Sequence, residues 1–167
     1  MSIHDETTGV VKAPPELLFD HLDDVHRLSG HMSRSSAMML GSRMNIDLDA
    51  TAGRAVGSKI RLAGRVLGIP LLLEEVVTEH VPPKRKVWQT IGTPQLLVLS
   101  HYTMGYEIAP EGAASRLRVF IDYGLPARGM SRWLGRLLGR VYARWCTRQM
   151  VKDAVAHFNR RASENAA

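Results

Sequence analysis

The chain has 167 residues, of which 45% are hydrophobic and 23% charged, and a formal net charge of +6. That length and balance fit one globular domain over residues 1–167 with a core of its own, and they exclude a disordered chain. A single cysteine, Cys146, excludes a disulfide framework and a multi-cysteine metal site, and no apolar run approaches the roughly 18 residues a membrane-spanning helix needs.

Residues 3–12 read as an edge strand, although DETTG is polar. Pro14-Pro15 ends it. Pro15 suits the first turn of a helix and Glu16 favours the same end of the helix dipole. Leu17, Leu18, Phe19, Leu22, Val25 and Leu28 then follow helical spacing, with a break at Asp23-Asp24 and a stop at Ser29-Gly30.

The period then changes to two. Met38, Leu40, Met44, Ile46 and Leu48 share one parity against Arg43, Asn45, Asp47 and Asp49, which predicts a half-buried strand over 38–49. Further strands are expected at 57–67, 71–81, 84–92, 96–108 and 116–125. Turns are expected at Ala50-Thr51-Ala52-Gly53, Gly68-Ile69-Pro70, Pro82-Pro83, Gly92-Thr93-Pro94 and Pro110-Glu111-Gly112. Six consecutive strands with short turns make an antiparallel meander. One face of it must be covered.

The main cover is residues 127–161, which hold no proline and read as one long helix. Its apolar residues from Met130 to Trp145 lie within an arc of about 180°, while Val151, Val155 and Phe158 are rotated from them. Residues 126–162 carry eight arginines and Lys152 against one acid, Asp153, so the whole charge excess sits there. Arg128, Arg132, Arg136, Arg140, Arg144 and Arg148 recur every four residues and wind partway round the helix. Gly135 and Gly139 have the spacing that permits close backbone approach, here to the sheet.

The order of strand, two short helices, six antiparallel strands and one long helix resembles the START-like or Bet v 1-like superfamily (SRPBCC), the polyketide cyclase/dehydrase and lipid-transport group. Val10-Val11-Lys12-Ala13-Pro14-Pro15-Glu16-Leu17-Leu18-Phe19 resembles its strand-to-helix entry. Val81-Pro82-Pro83-Lys84-Arg85-Lys86-Val87-Trp88 resembles its turn between middle strands. The resemblance implies an α+β helix-grip fold, with a curved antiparallel sheet of about seven strands around the C-terminal helix and a cavity between them. A fold of this kind hosts unrelated activities.

One helix of about 10 Å diameter does not fill a strongly bent sheet, and leftover apolar space is a small-molecule site. The expected wall is Met44, Ile46, Ile60, Leu62, Trp88, Tyr102, Met104, Tyr106, Ile121 and Tyr123, closed from the helix by Trp133 and Leu137. The expected occupant is a hydrophobic small molecule, lipid- or polyketide-like. If the chain is an enzyme, the resemblance implies a polyketide cyclase or dehydratase, with Glu74, His101, Tyr102 and Tyr106 as acid–base candidates. Of Glu74 and Glu75, adjacent on a strand, at most one faces inward.

Arg132, Arg136 and Arg140 are candidates for an anionic contact: a membrane surface, beside Trp133 and Leu137, or an acidic protein docking on the arginine-rich helix. Nucleic acid is disfavoured, since no recognition motif accompanies the charge. No HExxH or paired-carboxylate pattern joins His26, His31, His80 and His101, so no metal is expected. No phosphate loop or nucleophile elbow is present, and no cofactor is expected. The opening MSIHDETTG lacks the pattern of a secretory leader, and the expected location is cytoplasmic.

Overall fold

The computed structural model describes residues 2–30, 44–66, 69–96, 98–126 and 129–164, the side chains of 66, 95, 129–132, 134 and 136 excepted. The elements are β1 (Ile3–Val11), α1 (Pro15–Asp23), α2 (Val25–Leu28), β2 (Met44–Leu48), β3 (Lys59–Val66), β4 (Ile69–Val81), β5 (Arg85–Gln95), β6 (Tyr102–Glu111), β7 (Ala114–Tyr123) and α3 (Gly129–Glu164). The strands form one antiparallel sheet in the order β1-β7-β6-β5-β4-β3-β2, with β1 and β2 at its edges.

Helix α1 begins with proline at its first position and Glu16 in its first turn. It breaks where expected. Asp24 leaves helical geometry to cap α2, its carboxylate accepting from the amides of His26 (3.0 Å) and Arg27 (3.4 Å). Leu18, Phe19 and Leu22 are buried on the sheet side, and α1 packs on β6 and β7.

The polar β1 has a partner that explains it. Its inward residues Asp5, Thr7 and Gly9 meet α3 rather than an apolar core. The Asp5 carboxylate accepts from Arg144 Nε (3.0 Å) and from the Tyr123 hydroxyl (3.1 Å). The Thr7 and Thr147 hydroxyls bond to each other at 2.8 Å. Gly9 leaves space that a Cβ would deny, since one built there would lie 2.6 Å from Val151 Cγ1. Helix α3 therefore packs on β1 and β7.

Several boundaries differ from expectation. The strand predicted over 38–49 is described only from Met44, so Met38 and Leu40 lie outside the described residues. Ile69 and Pro70 are not a turn. They open β4, opposite Val66 and Arg65, at a strand start where proline is tolerated. Gly92-Thr93-Pro94 is a bulge inside β5. Leu72 pairs with Gln95 but Glu74 with Ile91, and Gly92 takes φ 67°. Unpaired bulge residues absorb the proline's missing N–H and bend the strand. Strand β6 starts at Tyr102 rather than residue 96, because the preceding segment bends towards α3. It runs on to Glu111, and Gly112-Ala113 makes the turn, with Gly112 at φ 61°.

The helix also presents a different face. Trp133, Leu137, Leu138 and Val141 are exposed, whereas Ala143, Cys146, Thr147, Met150, Val151, Ala154 and Phe158 are buried. The glycine seam is the cause. An added Cβ at Gly135 would lie 3.0 Å from the Val98 carbonyl oxygen, and one at Gly139 would lie 3.1 Å from it. Such close approach turns the small residues inward and the large ones out.

Candidate functional site

Antiparallel pairing builds two neighbouring strips of side chains across the inner face. In the first, Glu75 sits opposite Ile60 on one side and Thr90 on the other. The Thr90 hydroxyl accepts from the Tyr102 amide (3.1 Å), and Tyr102 sits opposite Tyr123. In the second, Val77 faces Trp88, Trp88 faces Met104, and Met104 faces Ile121.

Glu75 is 5% exposed, in a wall that also contains buried Ile60, Leu62, Leu73 and Val77. The Tyr102 hydroxyl donates to its Oε1, and the Trp88 indole supplies a second hydrogen bond. Burial is the dominant influence and pushes the Glu75 carboxyl up to about 7. The two hydrogen bonds and the Lys86 charge pull more weakly the other way. Burial also holds the Tyr102 hydroxyl well above its usual range, helped by the neighbouring Glu75. The result is a carboxyl that changes charge near neutrality, beside a tyrosine that stays protonated and donates.

A second polar group lies two residues along β5. Lys86 is 1% exposed. Its Nζ donates to Asp23 Oδ1 (2.6 Å), and His80 Nε2 lies 3.0 Å from the same oxygen. Burial lowers the Lys86 pKa, and Asp23 opposes that. Tyr106, opposite Lys86, is fully buried against Phe19 and Trp88, with ring centroids at 5.7 and 6.2 Å. Its hydroxyl has no partner among the described residues.

Tyr102, Tyr106, Trp88 and Met104 are thus brought together. Met44, Ile60, Leu62, Ile121 and Tyr123 are buried in the same core, and Ile46 packs half-buried against it. The Tyr123 hydroxyl is engaged by Asp5; burial first, then that bond, push it up to about 12.

Other candidates lie elsewhere. Glu74 is exposed on the opposite face, in a groove of ≈ 190 Å³ with Asp47, Leu48, Asp49, Lys59, Ile60 and Arg61; Glu75 is the inward acid. His101 is exposed. Trp133 and Leu137 do not close the wall, because the glycine seam turns them outward, 64% and 58% exposed. Arg140 reaches to 4.0 Å from Asp5. The side chains of Arg132 and Arg136 lie outside the described residues.

Sequence reasoning named Glu74 rather than Glu75 of the adjacent pair, and it missed the grouping of Lys86, Asp23 and His80. A signal existed for two of them: Glu75 shares parity with Leu73 and Val77, and Lys86 with Trp88 and Thr90.

No family model matches the chain, and no curated relative does. Solved structures do. The aromatase/cyclase ZhuI from Streptomyces sp. R1128 is similar with a TM-score of 0.72 and 16% identity, covering 97% of this chain and 96% of that one. Ara h 8.0201 is similar with a TM-score of 0.60 and 10% identity, covering 95% and 98%. Truncated norcoclaurine synthase from Thalictrum flavum gives 0.63 and 14%, covering 93% and 91%. At these identities the likeness shows the fold alone: the chain shares the helix-grip architecture of these structures.

Proposed function

We propose that the chain binds a hydrophobic small molecule bearing oxygen atoms, held against the concave face of the sheet with Glu75, Tyr102 and Trp88 addressing its polar end. The buried Glu75 carries this reading. A carboxyl costs several kcal/mol to bury as an ion, and the nearest structural use for it, an ion pair, is taken elsewhere: the Lys86 ammonium bonds to Asp23. A convergent carboxyl, phenol and indole in an apolar wall, with a perturbed pKa, is the arrangement small-molecule sites share. Helix α3 packs chiefly on β1 and β7, and its Tyr142 and Cys146 come near Tyr102, so the group lies between the sheet and the helix. Native mass spectrometry of the purified chain, with solvent extraction of whatever is bound, tests it. A bound apolar molecule is expected, and Glu75→Leu/Tyr102→Phe is expected to lose or exchange it. Wild-type protein that is empty and takes up no apolar oxygen-bearing probe would overturn the proposal.

One observation favours a second reading, an enzyme of the polyketide cyclase or dehydratase type. A carboxyl near pKa 7 is matched to proton transfer at neutral pH. Glu75 would take the proton from an acidic carbon between two carbonyls, and the Tyr102 hydroxyl, which donates to Glu75 in the structure, would turn its single proton to an oxygen on the same chain. Turnover of a poly-β-ketone that falls at least about 100-fold in Glu75→Gln, with binding kept, supports catalysis. Unchanged turnover in Glu75→Gln leaves the binding reading alone.

A further inference from the structure

Helix α3 carries an exposed apolar ridge that neither the fold nor the interior site uses. Trp133, Leu137 and Val141 follow one another at single-turn spacing and are 64%, 58% and 55% exposed, with Leu138 beside them. The same side of the helix continues through Arg144, Arg148 and Lys152, all exposed. Its first turns therefore carry the apolar ridge with the exposed Arg140 beside it, and its middle turns are basic. The ridge is built: with Gly135 and Gly139 against the Val98 carbonyl, and Gly139 also against Leu125, α3 cannot roll to bury its large residues without opening that seam.

We infer that this ridge is a docking surface for an anionic lipid bilayer, in which Trp133, Leu137 and Val141 enter the interface while Arg148 and Lys152 meet the head groups. Three features select this occupant. The chain's net charge of +6 is concentrated in the segment that holds the ridge, so a second copy laid along it would bring two cationic helices together. The ridge is also convex and only about one side chain wide. A stable protein interface needs about 20–30 residues a side, whereas lipid closes around a narrow amphipathic helix. Tryptophan beside aliphatic residues, followed by basic ones, matches the layering of a bilayer surface, from apolar boundary to anionic head groups. Among the described residues no helix is long and apolar enough to cross a membrane, so this contact is peripheral. It stands apart from the interior site, and Glu75 has no part in it.

Flotation of the full chain tests the inference, using vesicles of phosphatidylcholine alone or mixed with phosphatidylglycerol, with tryptophan emission as a second readout. Wild type is expected to float with mixed vesicles at least about 10-fold better than with phosphatidylcholine, with a blue shift that Trp133→Ser removes. Trp133→Ser/Leu137→Ser is expected to lose about 100-fold in affinity. Arg148→Gln/Lys152→Gln is expected to lose about 25-fold, and only on anionic vesicles. These side chains are exposed, and unchanged far-UV circular dichroism establishes that each variant folds. Failure of wild type to float with mixed vesicles overturns the inference. So does binding abolished by the charge variant but indifferent to Trp133→Ser/Leu137→Ser, which identifies a general polyanion or acidic-protein surface. A dimer that Trp133→Ser/Leu137→Ser dissolves, without vesicle binding, identifies a second copy as the occupant.

Discussion

Replacing Glu75 by glutamine should stabilise the protein, and only above a definable pH. The carboxyl's pKa rises from 4.5 in the unfolded chain to about 7 in the fold. Below pH 4.5 it is protonated in both states and contributes no difference. Between 4.5 and 7 the unfolded chain ionises while the folded chain keeps its proton, so the stability present in acid is lost as pH rises. At about 1.4 kcal/mol per pH unit the loss reaches about 3 kcal/mol by pH 8. Glutamine keeps the shape and can accept from Tyr102 through its carbonyl, but it cannot ionise. Glu75→Gln should therefore match wild type near pH 4 and exceed it by about 3 kcal/mol at pH 8. Urea unfolding followed by tryptophan fluorescence, repeated across that range, measures the difference. A gap between variant and wild type that stays constant with pH would refute the reasoning, because it would mean Glu75 ionises in the fold as it does in water.

His21 provides the opposing slope. It stacks on His157 with ring centroids 4.0 Å apart, and burial, reinforced by His157 and Arg27, lowers its pKa from 6.5 to about 4. The unfolded chain then binds the extra proton between those values, so stability falls as pH drops from 6.5 towards 4. His21→Phe should be more stable than wild type by about 1–2 kcal/mol at pH 4.5, after discounting for partial exposure, and unchanged at pH 8; thermal melts at both pH values check this. Gly9→Ala should cost about 1–3 kcal/mol by pushing β1 off Val151 Cγ1, and Val151→Ala in the same chain should recover part of it in denaturant titrations. Lys86→Met should cost about 3–5 kcal/mol by the same measurement, because Asp23 is left buried without its ammonium partner.

The meander, the two short helices and the long final helix were legible because each depends on local periodicity. The break at Asp24 was legible for a local reason too: an aspartate can cap the helix that follows it. What escaped depended on contacts between distant segments. The inward acid of Glu74-Glu75 is set by the register of β4 between β3 and β5, although Leu73 and Val77 mark its parity. The face of α3 was misjudged because apolar periodicity favours Trp133, Leu137 and Val141, whereas the packing distance is set by Gly135 and Gly139, which carry no hydrophobic signal. The polar β1 made sense only once Thr147 and Arg144 stood across from Thr7 and Asp5. Asp23 and His80 are far apart in sequence and are joined only by the docking of α1 beside β4 and β5.

These contacts divide the inner face into two parts with different duties. On β1 and β7 the polar groups are engaged in holding α3: Asp5 by Arg144 and Tyr123, and Thr7 by Thr147. Helix α1 engages Lys86 and His80 through Asp23. Subtracting these leaves a short stretch of β4–β6 where, among the described residues, polar groups hydrogen-bond within the sheet. Glu75 bonds to the sheet residues Tyr102 and Trp88 there, and the Tyr106 hydroxyl has no partner among the described residues. A buried hydroxyl without a partner and a carboxyl lifted towards neutrality each carry a cost to folding, on the order of 1–3 kcal/mol. If both are retained for an oxygen-bearing ligand, Tyr106→Phe should raise stability, or leave it unchanged, while weakening ligand retention. A purely structural tyrosine would show no change in retention.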